Sequence, residues 1–218
     1  MKTPKTNKIE IESNVNYRPS KQAGGTWADK AAGAIKRFFD SAQILVITLG
    51  FLVLVYLFVA SFSIVDGPSM LPNFTSGDLT IYEKITTTTG NLKRGDVIVF
   101  YEDKSGKDFI KRVIGLPGDT VKVQGGKVYV NGIALNEPYL SEENQNVNPG
   151  SVFQEGLDIT AGTDKYIVFG DNRHVSLDSR NLGPIDKSKL KGKVLLVFWP
   201  LNKIHMVEHV RHPELGDK

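Results

Sequence analysis

An uncharged apolar run near the N-terminus constrains the fold of this chain more than any other feature. The run extends from Ser41 to Val65 (SAQILVITLGFLVLVYLFVASFSIV), with Asp40 before it and Asp66 after it. A helix needs about 20 apolar residues to cross the hydrocarbon core of a bilayer. A core helix of a soluble protein rarely stays apolar on every face over such a length. We therefore predict a transmembrane helix over residues 41–63.

A cleaved secretion signal is the alternative interpretation of this run. The small residues of ASFS, at positions 60–63, are compatible with a cleavage site. However, the apolar core of a signal peptide has about 7–15 residues and follows a short basic segment. Because a segment of forty residues precedes the run in this chain, we favour a permanent anchor.

Basic residues before the run predict its orientation. Residues 1–40 carry eight Lys/Arg and four Asp/Glu, a net charge of +4, and Lys30, Lys36 and Arg37 lie closest to the run. Lys and Arg are enriched on the cytoplasmic side of membrane helices. We expect a plasma-membrane protein that crosses the bilayer once, with residues 1–40 in the cytoplasm and residues 64–218 outside it.

Two parts of the expected cytoplasmic segment differ in pattern. Residues 1–25 are polar and lack an apolar period, which predicts disorder. Residues 27–40 include Trp27, Phe38 and Phe39, so they fit a short amphipathic helix on the inner membrane surface. A simple linker in front of the membrane is the alternative for this second part.

The remainder, residues 64–218, shows the pattern of a β-rich domain. Gly125-Gly126 between two alternating stretches predicts a hairpin, residues 186–192 predict a turn of helix, and the polar residues 141–164 predict a long loop or a small subdomain. The predicted fold class is therefore mainly β, an antiparallel sandwich or irregular barrel that follows one membrane helix. The strands are predicted at residues 79–85, 96–103, 109–116, 120–124, 127–132, 165–170 and 193–200.

Composition excludes several kinds of site. The chain has no cysteine, which excludes disulfides, thiolate metal sites and cysteine nucleophiles. Residues 66–218 carry nineteen Lys/Arg and twenty Asp/Glu, a net charge of −1, and this gives no basic surface for nucleic acid. His205, His209 and His212 contain an i,i+4 pair of the kind that can share a metal. The segment lacks the glutamate of the helical zinc motif, so we predict a solvated tail with neither metal nor cofactor.

Ser69, in the segment VDGPSMLP just after the apolar run, is a candidate nucleophile. A serine hydroxyl is a weak nucleophile and requires a base close to it. One candidate base is His174, with Asp171 or Asp178 completing a Ser-His-Asp triad. His174 stands among turn-forming residues, in GDNRHVSLDSRN, where we expect it to be exposed.

Lys111 is the second candidate base and the one that the sequence context favours. In DFIKRVIGLPGD, strict strand alternation places Lys111 on the same face as Phe109 and Val113. Burial on such a face lowers the pKa of a lysine, which leaves a neutral amine able to accept a proton. The alternative is a lysine that extends to solvent or lies on an edge strand.

Four segments of the chain, in this order, resemble the conserved blocks of the bacterial type I signal peptidases (leader peptidases, peptidase family S26). The preceding single anchor suits the short Gram-positive-type members, and the resemblance covers residues 43–200. The four segments are GPSMLP (67–72), LKRGDVIVF (92–100), FIKRVIGLPGD (109–119) and GDNRHVSLDSRNLGPI (170–185).

The resemblance implies a role for each matching residue. Ser69 would be the nucleophile, and its backbone N–H would donate to the oxyanion. Lys111 would be the general base in its neutral form, and Ser176 would orient the Lys111 amine. Asp178 and Arg180 would form an ion pair that supports the site.

The resemblance also implies the substrate and the partners. Members of the family cut preproteins after a small residue, with another small residue two positions earlier. Met70, Phe109 and Ile110 are expected to line the substrate pockets, and an extended substrate could add as a strand beside residues 63–67. The expected partners are signal peptides, the lipid bilayer and the secretion translocon.

Gly67 stands where some members of the family carry a serine, and the absence of that serine is usual for the Gram-positive-type members. The larger departure is Asn73-Phe74, which stands where Thr-Leu is usual. Two other functions compete. One competing function is a Ser-Lys autoprotease like the self-cleaving SOS repressors, which carry a DNA-binding domain and no anchor. The other is a non-catalytic helper in surface-fibre assembly, but such relatives have lost the serine and lysine that this chain retains as Ser69 and Lys111.

Overall fold

The N-terminal part of the described chain is a single long helix. A computed structural model describes residues 26–216, so the predicted disorder of residues 1–25 lies outside the described residues. Helix α1 (Trp27–Phe58) has 32 residues, and none of them is buried. By length and composition, α1 is the one described helix that could cross a membrane.

Thr26 and Asp29 explain where α1 begins. The Asp29 carboxylate accepts hydrogen bonds from the Thr26 backbone N–H at 2.7 Å and from the Thr26 hydroxyl at 2.9 Å, and the Asp29 N–H donates back to that hydroxyl at 3.4 Å. Reciprocal bonds of this kind satisfy the free N–H groups of a first helical turn. From there the helix is continuous, so residues 27–40 form neither a separate surface helix nor a linker.

The C-terminal end of α1 comes earlier than the sequence predicted. The helix ends at Phe58 instead of residue 63, and Ala60–Ile64 form strand β1. Strand β1 pairs in antiparallel register with β2 (Leu79–Glu83), from Ala60 opposite Glu83 to Ile64 opposite Leu79. Composition could not mark this boundary, because the chain stays apolar across it and only the partner strand selects the extended conformation.

Antiparallel sheets make up most of the described chain beyond α1, which confirms the mainly β fold class. One sheet has the strand order β1-β2-β11-β3-β4-β9-β10, with β12 on β11, and the other has the order β7-β6-β5-β8. Each of the seven predicted strands is present. After β1 and β2 the strands are β3 (Val97–Glu102), β4 (Lys107–Gly115), β5 (Thr120–Gln124), β6 (Lys127–Val130), β7 (Ile133–Ala134), β8 (Ile159–Thr160), β9 (Lys165–Phe169), β10 (Ile185–Asp186), β11 (Leu190–Trp199) and β12 (His205–Met206).

Short helical elements connect some of the strands. Helix α2 (Ile85–Thr89) follows β2, and helix α3 (Ser179–Leu182) lies between β9 and β10. The turn of helix predicted within residues 186–192 is present as a 3₁₀ turn at Lys187–Lys189. Further 3₁₀ turns occur at Glu142–Gln145, Leu201–Lys203 and Pro213–Leu215.

The larger sheet carries a hydrophobic core on each face. Because side chains alternate along a strand, Val97 and Val99 of β3 pack into one cluster and Ile98 and Phe100 into another. The first cluster also contains Met70, and it therefore lies beneath the segment that carries the candidate nucleophile.

The polar segment 141–164 is more closely integrated than its composition suggested. Phe153 is fully buried and packs with the apolar side chains of the four-stranded sheet. The predicted hairpin is confirmed, because Gly125 and Gly126 join β5 to β6 with φ values of 57° and 74°. Both values are positive, as a two-residue turn of this kind requires.

The C-terminal segment is not the solvated tail that its sequence suggested. His212 is only 1% exposed, and the His209 Nδ1 lies 2.9 Å from the carboxylate of buried Asp96. A Cβ atom on Gly95 would lie 2.4 Å from the carbonyl oxygen of Val210, so the segment docks where only glycine leaves room. Within residues 26–216, no cluster of three His, Cys, Asp or Glu side chains could hold a metal ion.

Candidate active site

Ser69 lies in a tight turn that follows strand β1. The Phe74 N–H donates to the Met70 carbonyl at 2.9 Å, and the Leu71 N–H donates to the Pro68 carbonyl at 3.1 Å. Met70 and Phe74 are each only 1% exposed, so they hold the turn against the core of the larger sheet. Ser69 stands beside these two anchors and is half-buried.

Gly67 permits the change of direction before this turn. Its φ of 95° lies in the region that glycine enters without steric penalty. No atom outside its immediate neighbours lies within 4 Å of the position that a Cβ would occupy. A side chain here would therefore meet backbone strain without a steric clash, and the open space lies next to Ser69 along the chain.

Lys111 approaches Ser69 from strand β4. The Lys111 Nζ lies 2.8 Å from the Ser69 Oγ and 2.9 Å from the Ile110 carbonyl oxygen. The same amine lies 5.0 Å from the centre of the Phe109 ring, as expected for two residues on one face of a strand. Lys111 is only 3% exposed, so the alternative of a lysine extending to solvent is wrong.

Burial changes the protonation of this lysine. Loss of hydration lowers the pKa of Lys111 to about 8, although the charges of Asp178 and Asp171 act in the opposite direction and Arg180 adds a smaller decrease. A fully hydrated lysine has a pKa of about 10.4. A substantial fraction of the Lys111 amine is therefore neutral near pH 8 and able to accept a proton.

Asp178 and Arg180 form the ion pair that the family resemblance implies. The guanidinium Nη2 and Nε lie 2.8 and 2.9 Å from the two carboxylate oxygens, and both side chains are buried. The carboxylate also accepts a hydrogen bond from the Gly170 N–H at 2.9 Å. The pair thus ties the segment that carries Asp178 and Arg180 to Gly170.

Ser176 is close to the site, but the expected contact with Lys111 is not a hydrogen bond in this structure. The Ser176 Oγ is buried and has no hydrogen-bond partner among the described residues. A Cβ atom on Gly170 would lie 2.2 Å from this hydroxyl and 2.5 Å from the Ser69 carbonyl oxygen. Gly170 therefore lets the Ser176 and Ser69 segments approach each other closely.

The sequence analysis gave Arg112 and Asp171 no role in the Ser69–Lys111 pair, although both lie beside the site. The Arg112 guanidinium binds both oxygens of the Asp171 carboxylate, at 2.8 and 2.7 Å, and donates to the Gly95 carbonyl at 2.8 Å. The Arg112 guanidinium also stacks 4.1 Å from the centre of the Tyr139 ring. A usable signal was present, because an arginine next to Lys111 in a strand buried on both faces requires a carboxylate partner.

His174 does not complete a triad with Ser69. It is exposed, its Nδ1 lies 3.2 Å from the Asn148 side-chain amide, and its Nε2 lies 2.9 Å from the Glu143 carbonyl oxygen. Both ring nitrogens are thus engaged away from the serine. The geometry favours Lys111 over His174 as the base.

A cavity of about 160 Å³ opens directly onto the candidate dyad. Residues 64–70 line one side and residues 108–111 line the other, with Leu177 at the edge. The predicted pocket residues, Met70, Phe109 and Ile110, all contribute to its wall. Met70 and Ile110 are also core residues, so they form the floor of the cavity and present little surface.

Both walls of the cavity include a stretch of strand that no neighbouring strand covers. Strand β1 is the edge of the larger sheet, and β9 pairs with β4 only from Arg112 onward. The Ser69 N–H forms no hydrogen bond with any residue in the described part of the chain. The uncovered strand edges leave room for an extended peptide to add as a strand, while the Ile110 carbonyl is already bound by the Lys111 amine.

Comparison with known proteins identifies the family. The family model described as signal peptidase, peptidase S26, matches residues 38–199. Signal peptidase I of Bacillus licheniformis is 34% identical over 185 residues, which are 83% of this chain and 98% of that protein. Signal peptidase I U of Bacillus subtilis (strain 168) is 37% identical over 147 residues, 66% of this chain and 79% of that protein.

Two further similarities are to proteins of other genera. Signal peptidase IB of Staphylococcus aureus (strain N315) is 37% identical over 168 residues, 69% of this chain and 82% of that protein. The crystal structure of a signal peptidase I from Enterococcus faecalis V583 aligns with a TM-score of 0.40 and 32% identity over 47% of this chain and 95% of that one. On the family-model match and the sequence identities, this chain belongs to the signal peptidase family, peptidase S26.

Proposed function

We propose that this protein is a membrane-anchored serine endopeptidase that removes signal peptides from preproteins, with Ser69 as nucleophile and Lys111 as general base. One observation carries the assignment of the dyad. The buried amine of Lys111, whose pKa is lowered to about 8, lies 2.8 Å from the Ser69 hydroxyl. This distance is within the range over which a general base takes a proton from a nucleophile.

Acylation begins with proton transfer within this pair. The neutral Lys111 amine accepts the Ser69 proton while the Ser69 Oγ attacks the carbonyl carbon of the scissile bond. When the tetrahedral intermediate collapses, the C–N bond breaks and the Lys111 ammonium gives its proton to the departing amine. The signal peptide is then held as an ester on Ser69.

The developing oxyanion needs hydrogen-bond donors. The free N–H of Ser69 is the proposed donor, and one donor of this type contributes about 3 kcal/mol to lowering the barrier. Gly67 supplies no hydroxyl, so any second donor would come from backbone or from water. The open space beside Gly67 is compatible with a water molecule at that point.

Deacylation reverses the roles. Lys111, neutral again, takes a proton from a water molecule that attacks the ester carbonyl, and the proton then returns to the Ser69 oxygen. Bound substrate displaces water from the cavity, which disfavours the charged amine further. Substrate binding thus helps to keep Lys111 in the form that the reaction requires.

The cavity supports a substrate with small side chains near the cleaved bond. Its volume is about 160 Å³, and Met70 and Ile110 close its floor. An extended substrate would add as a strand between residues 64–67 and 108–111, and alternate side chains would point into the floor. This arrangement accounts for small residues at the first and third positions before the scissile bond.

The membrane topology is proposed on sequence grounds. Lys30, Lys36 and Arg37 precede the apolar part of α1, which favours a cytoplasmic N-terminus and an extracytoplasmic catalytic domain. Ser69 follows Phe58, the last residue of α1, by eleven positions. This short connection would keep the nucleophile near the outer membrane surface, where exported chains emerge, and it makes the secretion translocon a proposed neighbour.

Neither competing function is favoured by an observation. A non-catalytic assembly helper would have no need for a buried amine in contact with a serine hydroxyl. An autoprotease of the SOS-repressor type would require a DNA-binding region, and the sequence has no helix-turn-helix pattern. The family match, over residues 38–199, favours processing of other chains.

Cleavage of a preprotein by the purified full-length protein in detergent tests the proposal. We expect a single cut after a small residue, no cut by Ser69→Ala, and no cut when the residue before the scissile bond is changed to Phe. The Phe preprotein is the matched substrate control. Equal product from wild type and Ser69→Ala, or no product from wild type under conditions where a known signal peptidase I cuts, would refute it.

A further inference from the structure

Asn73, one of the residues that depart from the usual family pattern, makes two hydrogen bonds to other parts of the domain. Its side-chain Nδ2 donates to the Asp171 Oδ2 at 2.8 Å and to the Tyr139 carbonyl oxygen at 3.0 Å. A primary amide has two N–H donors on this nitrogen. Both donors are therefore used, and the side chain connects the turn that carries Ser69 to the segments that contain Asp171 and Tyr139.

The Asp171 carboxylate that receives Asn73 is fully buried and already binds Arg112 through both oxygens. Arg112 is the neighbour of Lys111 on strand β4. The contacts consequently close a ring from the Ser69 turn through Asn73, Asp171 and Arg112 to Lys111. The 2.8 Å contact between Lys111 and Ser69 completes that ring.

The start of the turn that carries Ser69 is held by a different residue, Asn172. The Asn172 backbone N–H donates to the Ser69 carbonyl at 3.0 Å, and its side-chain amide donates to the Pro68 carbonyl at 3.2 Å. These two bonds act on residues 68–69 only. Asn73 makes the corresponding attachment at the end of the turn, four residues after Ser69.

We propose that Asn73 is a positioning residue, whose amide joins the Ser69 turn to the Asp171–Arg112 pair and so holds the Ser69 hydroxyl against the Lys111 amine. Ser69 and Lys111 are forty-two positions apart in sequence, so no local geometry sets their separation. A misplacement of about 1 Å between reacting groups can reduce a rate by roughly 100-fold. Asn73 acts through Asp171 and Arg112, and it is not among the residues that line the cavity at the dyad.

The chemistry of the amide makes this role specific. Leucine has nearly the same shape as asparagine but no donor, so Asn73→Leu removes both hydrogen bonds. Aspartate has the same shape and, when ionised, places a second carboxylate against Asp171. The charged groups that act on Lys111 are Asp171 and Asp178, which raise its pKa, and Arg180, which lowers it. A further carboxylate at residue 73 would act in the direction of Asp171.

The test compares purified full-length wild type with Asn73→Leu, Asn73→Asp and the exposed-site control Asn91→Leu, on a soluble peptide substrate. We expect Asn73→Leu to lower kcat by about 10- to 100-fold with KM unchanged. Asn73→Asp should lower kcat at neutral pH at least as much, and it should move the rising limb of the kcat/KM profile to higher pH. Asn91→Leu should match wild type, and thermal unfolding should show that all variants are folded.

The inference rests on the proposed function, and its failure can be told apart from a failure of that function. If wild type does not cleave the peptide, the proposed function fails. If wild type cleaves it and both Asn73 variants keep kcat within threefold, the positioning role is wrong. It is also wrong if activity falls only in proportion to the folded fraction, or if Asn73→Asp leaves the pH profile unmoved.

Discussion

Two groups of buried cations lie close together in the catalytic domain and behave in opposite ways. Lys111 forms no ion pair with a described residue, and burial lowers its pKa to about 8. Arg112 and Arg173 are as deeply buried, but the Asp171 and Glu137 carboxylates bind them. Burial lowers the pKa of each arginine as well, yet the bound carboxylate outweighs it and the pKa of each is raised.

The comparison shows that burial alone does not create a base. A buried cation with a carboxylate partner keeps its proton and becomes part of the framework, as Arg112 does with Asp171. A buried lysine without such a partner is poised to lose its proton. Asp171 and Asp178 raise the pKa of Lys111, but each of them binds an arginine, and the loss of hydration has the larger effect.

Replacing Lys111 by arginine breaks this comparison most severely. Lys111→Arg keeps a positive charge at the site, but a guanidinium does not lose its proton in proteins. We expect turnover to fall by about 10³-fold or more at every pH, because the proposed general base is lost. Peptide cleavage measures the effect, and His174→Ala serves as the control that retains activity within about threefold. The reverse ranking of the two variants would assign the base to His174.

Removing the carboxylate from a framework pair has the next largest effect. Asp178→Asn leaves the Arg180 guanidinium buried without its counter-charge, which should lower the free energy of unfolding by about 3–5 kcal/mol. Chemical denaturation in detergent measures this change. The matched control is Asp178→Leu combined with Arg180→Met, which should be less destabilised than the single variant. A loss below about 1 kcal/mol in Asp178→Asn would show that this pair does not support the fold.

Removing the unpaired cation, Lys111, should raise the free energy of unfolding. The pKa of Lys111 falls from 10.5 to about 8 on folding, so at pH 7 the buried charge costs about 3 kcal/mol of stability. The unfolded chain binds more protons between these two values, and wild-type stability therefore rises with pH from about 8 to 10.5. We expect Lys111→Met to be more stable than wild type at pH 7.

Denaturation at two pH values decides this third prediction. The stability difference between Lys111→Met and wild type should be about 3 kcal/mol at pH 7 and should shrink as the pH rises from about 8 to 10.5, above which Lys111 is mostly neutral in both states. A Lys111→Met variant that is less stable at pH 7, or a difference that does not change with pH, would contradict the unpaired state of the lysine.

The order of residues along the chain was enough to predict the strands, the hairpin and the strand face on which Lys111 lies. Strand alternation placed Lys111 with Phe109 and Val113, and the structure has its amine 5.0 Å from the Phe109 ring. The turn residues separated the strands, and Gly125-Gly126 gave the hairpin. These features depend on neighbours in sequence, which is why a single chain reveals them.

Features that depend on distant partners could not be predicted. Strand β1 stays apolar like α1, and only its pairing with β2 ends the helix at Phe58. The C-terminal segment is polar, yet His209 finds Asp96 more than a hundred positions earlier in the chain. Asn73 reads from sequence as a departure from the family pattern, and its role emerges only from its contact with Asp171.

The pH dependence of kcat/KM for a soluble peptide tests the central claim most directly, because it reports the base of the free enzyme. Lys111 must be neutral to accept the Ser69 proton, so activity should rise with pH through the lysine pKa of about 8. The rising limb should stay at the same pH in His174→Ala. A limb near pH 6.5 that disappears in His174→Ala would contradict a buried, unpaired lysine as the catalytic base.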